Sequence, residues 1–497
     1  MNMANKSFWI KTLPVTTAAF VAGGRMVCAA EEEARPNILF VLADDCTFRD
    51  TELYGGQGKT PNMNRLAREG MTFNRCYQAA AICSPTRHNL YTGIYPVKTG
   101  AYPNHTFANS DVKSIVHHLK AKGYRVALAG KTHILPVSVF PFEYLNDMEN
   151  SYEKRPIEDE PRTGPRYPVI EKFVAECVSS KTPFCLFAAS HDPHGPFERG
   201  NPGDYPPDKI SLPPDFVDTP ATRDSFSKYL AEITFFDGQL GECLDILNRN
   251  QVEGNTLVMV ATEQGNAFPF AKWTCYENGV ASGLVVRWPG KVTPDSKSDA
   301  IVEYCDVVPT MVEAANASLV APVDGRSFLP VLLGKTDQHK EYAYSLQTSI
   351  GVNGVTQPFA IRSCVSEQFR YIRNLNPENP FSCGGSQCWQ VNSNKDPDGW
   401  RGEWKRAAKA GNAFAEKQIE RYIYHPAEEL YDIKNDPYCL TNLADNPEFA
   451  EIKKIHSEKV TAWMEEQGDK GVETEEAAVM RNWKYAPKKS GAPAAEE

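Results

Sequence analysis

The chain has 497 residues, enough for two to three domains of average size or for one large α/β unit with an appendage. Hydrophobic residues make up 41% of the sequence and charged residues 23%, which excludes disordered, collagen-like and polytopic membrane proteins. The formal net charge is -10 and no long basic run occurs, so we expect no nucleic-acid partner, because phosphate neutralisation needs clustered Lys and Arg.

The first thirty residues have the organisation of a secretion signal. Lys6 and Lys11 provide a positively charged start, residues 13–24 are apolar, and residues 28–30 form a small-residue cleavage region. Arg25 interrupts the apolar run, which is therefore too short for a membrane span. The sequence predicts a signal peptide over residues 1–30, a periplasmic or secreted protein, and no membrane span.

Short apolar runs that alternate with amphipathic helices predict an α/β fold, with a large, mostly parallel sheet sandwiched by helices. The runs are residues 38–43, 126–129, 184–189, 257–261 and 284–286. The clearest helix covers residues 226–247, where apolar side chains recur every 3.6 residues. Two shorter helices are predicted to end at Gly70 and Gly123, each acting as a C-terminal cap.

The sequence pattern changes after about residue 340. Short β-like segments follow, and a last helix is predicted near residues 448–467. This pattern predicts a smaller C-terminal α+β domain with an antiparallel sheet. The expected organisation is a signal peptide (1–30), an N-terminal catalytic domain (31–340), a C-terminal domain (341–483) and a disordered tail (484–497).

The thirteen cysteines are scattered and show no zinc-type pairs. Cys383 and Cys388 flank a Gly-Gly-Ser-Gln segment and are the best candidates for a local disulfide, which export would permit. Most of the others lie in apolar strands or helices, such as Cys185 and Cys243, and are interpreted as small buried hydrophobes. Cys83 differs from all of these by its polar surroundings.

Polar side chains follow four of the predicted strands, and in an open α/β sheet such strand ends meet in one crevice. They are Asp44, Asp45, Lys131, His133, His191, His194, Glu263 and Gln264. The carboxylate and amide oxygens among them favour a hard divalent cation, Ca²⁺ or Mg²⁺, over zinc. Alternatively, the two aspartates only cap the turn that follows their strand.

The segment from Cys83 to Arg87 is the most distinctive local feature. Ser84 as N-cap and Pro85 at the first helical position predict a helix that begins here. Cys83 would then lie at a helix N-terminus, where backbone N–H groups and the helix dipole favour an anion. Two simpler interpretations remain open, a thiol of low pKa and an ordinary helix cap.

The run Cys83-Ser-Pro-Thr-Arg87, with Thr92-Gly93 after it, resembles the motif of type I sulfatases, members of the alkaline phosphatase superfamily in which this cysteine is oxidised to formylglycine. The resemblance covers nearly the whole mature chain. It includes Asp44-Asp45 after residues 36–38, Gly-Lys-Thr-His at 130–133, Pro-His-Gly-Pro at 193–196, and Glu-Leu-Tyr-Asp at 429–432. It implies an alkaline phosphatase-like fold and a maturation enzyme as partner, one that generates formylglycine from the cysteine.

The resemblance also implies a role for each matching residue. Cys83 becomes formylglycine, whose hydrate is the nucleophile and contacts the metal. One Ca²⁺ ion, with Mg²⁺ the less favoured choice, is held by oxygens of Asp44, Asp45, Glu263 and Gln264. Arg87 stabilises the hydrated aldehyde. Sulfate oxygens are bound by Lys131 and Lys272, while His133 acts as base on the hydrate and His194 as acid or hydrogen-bond donor at the leaving group.

One departure concerns the metal site, because most sulfatases have Asp-Asn where this chain has Glu263-Gln264. The spacing from Glu263 to Lys272 and the His-Asp-Pro-His run are similar to the heparan N-sulfatase (sulfamidase) branch. The predicted function is hydrolysis of sulfate esters or sulfamates in a sulfated carbohydrate, a glycosaminoglycan or a mucin-type glycan. A phosphoester hydrolase of the same superfamily and a non-catalytic protein that binds sulfated glycans are the alternatives.

Overall fold

The computed structural model describes residues 35–145, 167–350, 355, 357–381 and 399–485. The predicted signal peptide, the Cys383–Cys388 pair and all but the first two residues of the predicted tail lie outside these residues. The ten cysteines within them are all buried and unbridged, which agrees with their interpretation as small hydrophobes. None of the helices in the described ranges is both long and apolar enough to cross a membrane.

Two sheets are built from the strands of the described residues. The strands are β1 (Asn37–Ala43), β2 (Met71–Tyr77), β3 (Arg125–Gly130), β4 (Glu143–Tyr144), β5 (Phe184–Ala189), β6 (Thr256–Thr262), β7 (Ala281–Arg287), β8 (Ser296–Ser298), β9 (Val302–Glu303), β10 (Ala343–Gln347), β11 (Ile361–Val365), β12 (Phe369–Asn374) and β13 (Glu428–Asp432). Each of the five predicted apolar runs lies inside one of these strands.

The large sheet has nine strands in the order β4-β3-β5-β1-β6-β7-β2-β8, with β9 paired to β2. All its pairings are parallel except those of β7, which runs antiparallel to both β6 and β2. The prediction of a mostly parallel sheet is confirmed, whereas β7 departs from that direction. Its apolar run looked like the others because it is equally buried on both faces, and burial does not record strand direction.

Helices pack against both faces of the large sheet. The helices of the described residues are α1 (Pro61–Arg68), α2 (Cys83–Thr92), α3 (Pro96–Thr99), α4 (Ile115–Lys120), α5 (Tyr167–Ser179), α6 (Pro220–Arg249), α7 (Glu277–Val280), α8 (Val307–Ala314), α9 (Leu329–Leu332), α10 (Trp400–Lys409), α11 (Ala413–Ile423), α12 (Ala450–Gln467) and α13 (Val472–Ala477). Helix α6 contains the whole predicted stretch 226–247, and its periodic apolar side chains are buried as expected.

The core is divided by the sheet into two layers. On β1, Leu39 and Val41 pack in the same cluster as the apolar face of α6, whereas Phe40 packs in the opposite cluster with α4 and α8. Alternation of this kind is what a strand buried on both faces requires. The apolar runs in the sequence are therefore explained by burial of these strands on both faces.

Neither of the two predicted glycine caps is the C-cap residue of its helix. Helix α4 ends at Lys120 and its C-cap residue is Ala121, so Gly123 is not the cap itself; it closes the turn that follows, with φ of +83° and an N–H that donates to the Lys120 carbonyl at 3.0 Å. Helix α1 ends at Arg68 and is capped by Glu69, so the prediction for Gly70 is wrong. Gly70 is needed for a different reason, since a Cβ there would lie 2.2 Å from the carbonyl oxygen of Val286 on β7.

The smaller sheet has four antiparallel strands in the order β10-β11-β12-β13, as predicted for the C-terminal part of the chain. Its first strand contacts the segment that leads to Cys83. Leu346 forms a bridge with Ala80, and the Ser345 hydroxyl donates to the carbonyl oxygen of Gln78 at 2.7 Å. The division into two domains at residue 340 stays a prediction.

Candidate active site

The carboxyl ends of β3, β5, β1 and β6 lie side by side, because these four strands are adjacent and parallel. Backbone hydrogen bonds continue past the strand ends and fix the residues that follow. The Asp44 N–H donates to the carbonyl of Asp192 at 3.0 Å, and the Cys46 N–H donates to the carbonyl of Glu263 at 3.1 Å. The predicted crevice residues are therefore held by the sheet itself, as expected for a site at this edge.

The end of β3 shows why a glycine precedes Lys131. Gly130 has φ of +84°, and a Cβ at this position would lie 1.9 Å from the carbonyl oxygen of Ala189. The same carbonyl accepts the N–H of Lys131 at 2.9 Å. Only glycine permits this close approach of two strand ends, and the approach fixes the backbone from which Lys131 extends.

Helix α2 begins at Cys83, so the cysteine lies at a helix N-terminus as predicted, with only 2% of its surface exposed. The assignment of Ser84 as N-cap is wrong. The N-cap is Ile82, and the Ser84 hydroxyl instead donates to the carbonyl oxygen of His133 at 3.1 Å. Pro85 lies within the first turn, where its missing N–H removes no helical hydrogen bond.

Cys83 lies among oxygen and amide groups from two strand ends. Its Sγ is 3.9 Å from Asp45 Oδ1, and the side-chain amide of Gln264 donates to Sγ at 2.9 Å and to Asp45 Oδ1 at 2.6 Å. All three residues are buried. The cysteine is thus enclosed by polar groups although it is withdrawn from bulk solvent.

Three cationic side chains neutralise the buried carboxylates. Lys131 Nζ lies 2.5 Å from Asp44 Oδ2, and Lys272 Nζ lies 2.6 Å from Asp45 Oδ2. The guanidinium of Arg87 contacts Glu263 through two nitrogens, and its Nη2 is 3.6 Å from Asp44 Oδ1. Charges buried this completely are retained only when they are paired in this way.

His194 and His133 complete the set of predicted residues. His194 Nε2 lies 3.5 Å from Asp45 Oδ2, and its Nδ1 donates to the carbonyl oxygen of Gly195 at 2.8 Å. His133 is joined to the first turn of α2, because its carbonyl accepts the hydrogen bond from the Ser84 hydroxyl. The structure therefore brings all ten residues predicted from the sequence to one edge of the sheet, and their individual roles stay a prediction.

Burial and charge shift the pKa values of these groups in opposite directions. Burial raises the pKa of Cys83 to about 11, because the nearby lysines only partly compensate for it, so the residue is a neutral thiol at neutral pH. Burial lowers the pKa of His194 to about 4, against the attraction of Asp45. For Asp44 burial acts upward, yet Lys131, His194 and Arg87 hold its pKa below the ordinary value.

Backbone strain is concentrated at this site. Eleven described non-glycine residues have φ in the left-handed region, and five of them are site residues, contact one or directly follow one. The five are Asp45, His105, His133, Gln264 and Trp273. Each such conformation costs about 1–3 kcal/mol, and strain of this kind collects where function fixes the backbone.

The donor set suits a hard cation. Asp44, Cys83 and Glu263 offer ligand atoms within 4.8 Å of one another, and so do Asp45, Cys83 and His194. Two buried oxygens in this region, Asp44 Oδ1 and Gln264 Oε1, accept no hydrogen bond. Buried acceptors without donors are rare, and a cation between these residues would satisfy both of them.

His105 is a residue that sequence reasoning missed. Its Nδ1 lies 3.1 Å from Nε2 of His133, and its ring is 5.1 Å from the His133 ring. It belongs to a loop between α3 and α4. The sequence of this loop has no strand or helix pattern from which its position beside the sheet edge could be predicted. A single histidine in a polar loop carries no sequence signal for this contact.

Comparison with known proteins identifies the family. The profile described as Sulfatase matches residues 36–317, and that described as "N-sulphoglucosamine sulphohydrolase, C-terminal" matches residues 265–382. An ulvan-active sulfatase of Formosa agariphila is 33% identical over 443 residues, covering 88% of this chain and 81% of that protein. The N-sulphoglucosamine sulphohydrolase of Homo sapiens is 27% identical over 487 residues, covering 88% and 91%.

Solved structures show the same fold. A protein in complex with its substrate D-glucosamine-2-N,6-O-disulfate matches with a TM-score of 0.65 at 18% identity, covering 88% of this chain and 99% of that one. A 2-O GAG sulfatase matches with a TM-score of 0.61 at 18% identity, covering 88% and 93%. With the strand-end site, the two profiles and a 33% identical relative, the chain belongs to the sulfatase family, and its resemblance to the N-sulphoglucosamine sulphohydrolase branch is confirmed.

Proposed function

We propose that this protein releases sulfate from a sulfated carbohydrate by hydrolysing sulfate esters or sulfamates. The observation that carries the proposal is the convergence of Lys131, Lys272 and Arg87 on the buried surroundings of Cys83. The whole chain is acidic, with a net charge of -10, whereas three cationic side chains are concentrated at this edge of the sheet. Local charge, rather than net charge, selects an anionic ligand.

The names of the relatives support a glycan substrate. One acts on ulvan, another is a sulphohydrolase of N-sulphoglucosamine, and a solved neighbour holds a disulfated glucosamine. These substrates share a sulfate group on a sugar ring, through oxygen or nitrogen. We propose the same chemical class for this chain, with an N-sulfated amino sugar favoured by the match of residues 265–382.

The two lysines would bind the sulfate oxygens. In the structure their ammonium groups form ion pairs with the carboxylates of Asp44 and Asp45. With a divalent cation held by those carboxylates, both ammonium groups would be available to a sulfate. They would then stabilise the negative charge that develops on its oxygens during bond cleavage.

We propose Ca²⁺ as the cation, held by oxygens of Asp44, Asp45 and Gln264. Glu263 fits the same oxygen-rich set, but Arg87 engages both its carboxylate oxygens, so its share in the coordination is smaller. The fit rests on the two buried oxygens without donors described above. When bound, a divalent cation in this position lowers the pKa of a hydroxyl and polarises sulfate oxygens.

The nucleophile is proposed to be the hydrate of a formylglycine made from Cys83 by a maturation enzyme. The hydrate supplies one hydroxyl for attack on sulfur and a second whose deprotonation expels the sulfate. A neutral buried thiol offers neither function. His133 would take the proton of the second hydroxyl, and His194 would donate a hydrogen bond at the leaving atom.

The proposed location of the protein is outside the cytoplasm. A signal peptide over residues 1–30 would place the protein in the periplasm or outside the cell, where sulfated polysaccharides are met. The catalytic part would span residues 31–340 and the C-terminal part residues 341–483. The predicted tail from residue 484 has no assigned role in the chemistry.

Sulfate release tests the proposal. The protein is coexpressed with a formylglycine-generating enzyme and incubated with N-sulfated and O-sulfated glucosamine, galactose and N-acetylgalactosamine. We expect release from at least one of these sugars and its loss in Cys83→Ala. The matched control is Cys243→Ala. It removes a different buried cysteine, which lies on α6 outside the candidate active site, and should retain activity.

Two outcomes would overturn the proposal. Faster turnover of an aryl phosphodiester than of any sulfated sugar would indicate a phosphoester hydrolase. Glycan binding without turnover, by protein in which Cys83 carries the aldehyde, would indicate a non-catalytic binding protein.

A further inference from the structure

The imidazole of His133 shares a hydrogen bond with a second imidazole. Nδ1 of His105 lies 3.1 Å from Nε2 of His133, and the two rings are tilted by 37°. His133 is 95% buried, so a hydrogen bond to its ring restricts both the orientation and the proton position of the imidazole. Both residues have φ in the left-handed region, so two strained backbone positions bring the rings together.

The loop that contains His105 is hydrogen-bonded to the first turn of α2. The backbone N–H of Ser84 donates to the side-chain oxygen of Asn104 at 3.4 Å, and the N–H of Thr106 donates to the Ser84 hydroxyl at 3.5 Å. The same hydroxyl donates to the carbonyl of His133. The loop, His133 and the residue next to Cys83 therefore form one hydrogen-bonded unit.

The C-terminal segment that follows α13 holds this loop from outside. The N–H of Trp483 donates to the carbonyl of His105 at 2.6 Å, and the Thr106 hydroxyl donates to the carbonyl of Arg481 at 2.8 Å. The Arg481 guanidinium donates to the carbonyls of Gly100 at 2.7 Å and Phe107 at 2.8 Å, and it lies 4.2 Å from the Phe107 ring centre. We call residues 481–483 the C-terminal strap.

We propose that His105 is a positioning residue for the reaction, and that the C-terminal strap fixes it in place. The inference rests on the proposed function, in which His133 exchanges a proton with the nucleophile. Because His105 engages Nε2 of His133, that proton would pass through Nδ1. His105 thus determines which ring nitrogen acts and in which direction it points, much as an orienting group determines the tautomer of a catalytic histidine.

The test compares three substitutions at residue 105. The amide atoms of Asn are bonded to Cγ, as Nδ1 of His is, whereas those of Gln are one carbon further away. His105→Ala is expected to lower kcat about 10- to 100-fold, the range found when an orienting partner is removed, with little change in KM. His105→Asn should recover most of kcat, and His105→Gln should recover less.

The strap is tested by Arg481→Ala, which removes both guanidinium hydrogen bonds. We expect a smaller fall in kcat than in His105→Ala, with KM again nearly unchanged. Lys470→Ala is the matched control, because it removes an exposed cation of the same C-terminal region, and its kcat should equal that of the wild type. Thermal unfolding and the aldehyde content of each variant are measured alongside, so that loss of folding or of maturation is recognised.

Full kcat in folded His105→Ala would overturn the inference. So would an equal loss in the Ala, Asn and Gln variants, because that pattern reports the packing of the ring rather than its hydrogen bond. If the wild type itself releases no sulfate, the proposed function fails instead, and the two failures are distinguished by this one measurement.

Discussion

Arg87→Met removes one partner of the most deeply buried ion pair at the site. The side chains of Arg87 and Glu263 are both 0% exposed, and the pair is bonded through two nitrogens. Without the guanidinium, the carboxylates of Asp44, Asp45 and Glu263 face only two lysines. Removing one partner of a buried pair costs about 3–5 kcal/mol, so we expect the free energy of unfolding to fall by this amount in metal-free buffer.

Arg125→Met is the matched control. Arg125 makes the same two-nitrogen contact with Glu143, with an Nη2–Oε2 distance of 2.7 Å, but the two side chains are 31% and 33% exposed. Solvent screens this pair, so its loss should cost at most about 1 kcal/mol. Urea unfolding in the presence of a chelator, followed by tryptophan fluorescence, measures both variants on the same scale.

Addition of Ca²⁺ should affect the stabilities of Arg87→Met and Arg125→Met differently. A cation that binds only the folded protein stabilises it by about 2.7 kcal/mol at one hundred times its Kd. Because it also supplies the positive charge lost with Arg87, Ca²⁺ should restore more stability to Arg87→Met than to Arg125→Met. Two results would contradict this role of Arg87: a loss of stability in Arg87→Met no greater than in Arg125→Met in chelator, or equal stabilisation of both variants by Ca²⁺.

Two further changes follow from the same contacts. Asp45→Asn should weaken Ca²⁺ binding at least 10-fold in titration calorimetry, because a carboxylate that lies beside Gln264 and Cys83 loses its charge. Arg370→Met should lower the free energy of unfolding by about 3–5 kcal/mol, since it removes the nearest cation from the buried carboxylate of Glu277, whose Oε2 lies 2.6 Å from Arg370 Nη2.

Each of these has its own control. Asp224→Asn alters an exposed acid on α6, 2.8 Å from Lys228, and should leave Ca²⁺ binding unchanged. Lys228→Met breaks that same exposed pair and should change stability by less than about 1 kcal/mol. Equal Ca²⁺ affinity in Asp45→Asn and Asp224→Asn would contradict the metal assignment, and equal stability of Arg370→Met and Lys228→Met would contradict the structural role given to Arg370.

The sheet could be predicted because burial on both faces leaves a continuous apolar run in the sequence. Residues 38–43 are such a run, and the polar residues directly after them mark where the strand reaches the site. Strand direction leaves no comparable mark, which is why β7 gave no signal of its antiparallel pairing. Strand-end chemistry is thus local in sequence, whereas strand pairing is not.

Contacts made across the fold could not be predicted. Ser84 followed by Pro85 is a standard start of a helix, yet in the fold Ile82 is the N-cap and the Ser84 hydroxyl donates to the carbonyl of His133. The two-nitrogen contact of Arg87 with Glu263 joins residues 176 positions apart. His105 likewise contacts His133 from a loop that is hydrogen-bonded to the C-terminal strap and to α2, both distant in sequence.

Sulfate release measured against the aldehyde content of Cys83 shows whether the modified residue is the nucleophile. Protein batches made with and without the maturation enzyme are mixed in known ratios, and the tryptic peptide of residues 76–87 is analysed by mass spectrometry. We expect sulfate release from the sulfated sugar to be proportional to the fraction of chains carrying the aldehyde. Full release by chains in which Cys83 remains a thiol would contradict it.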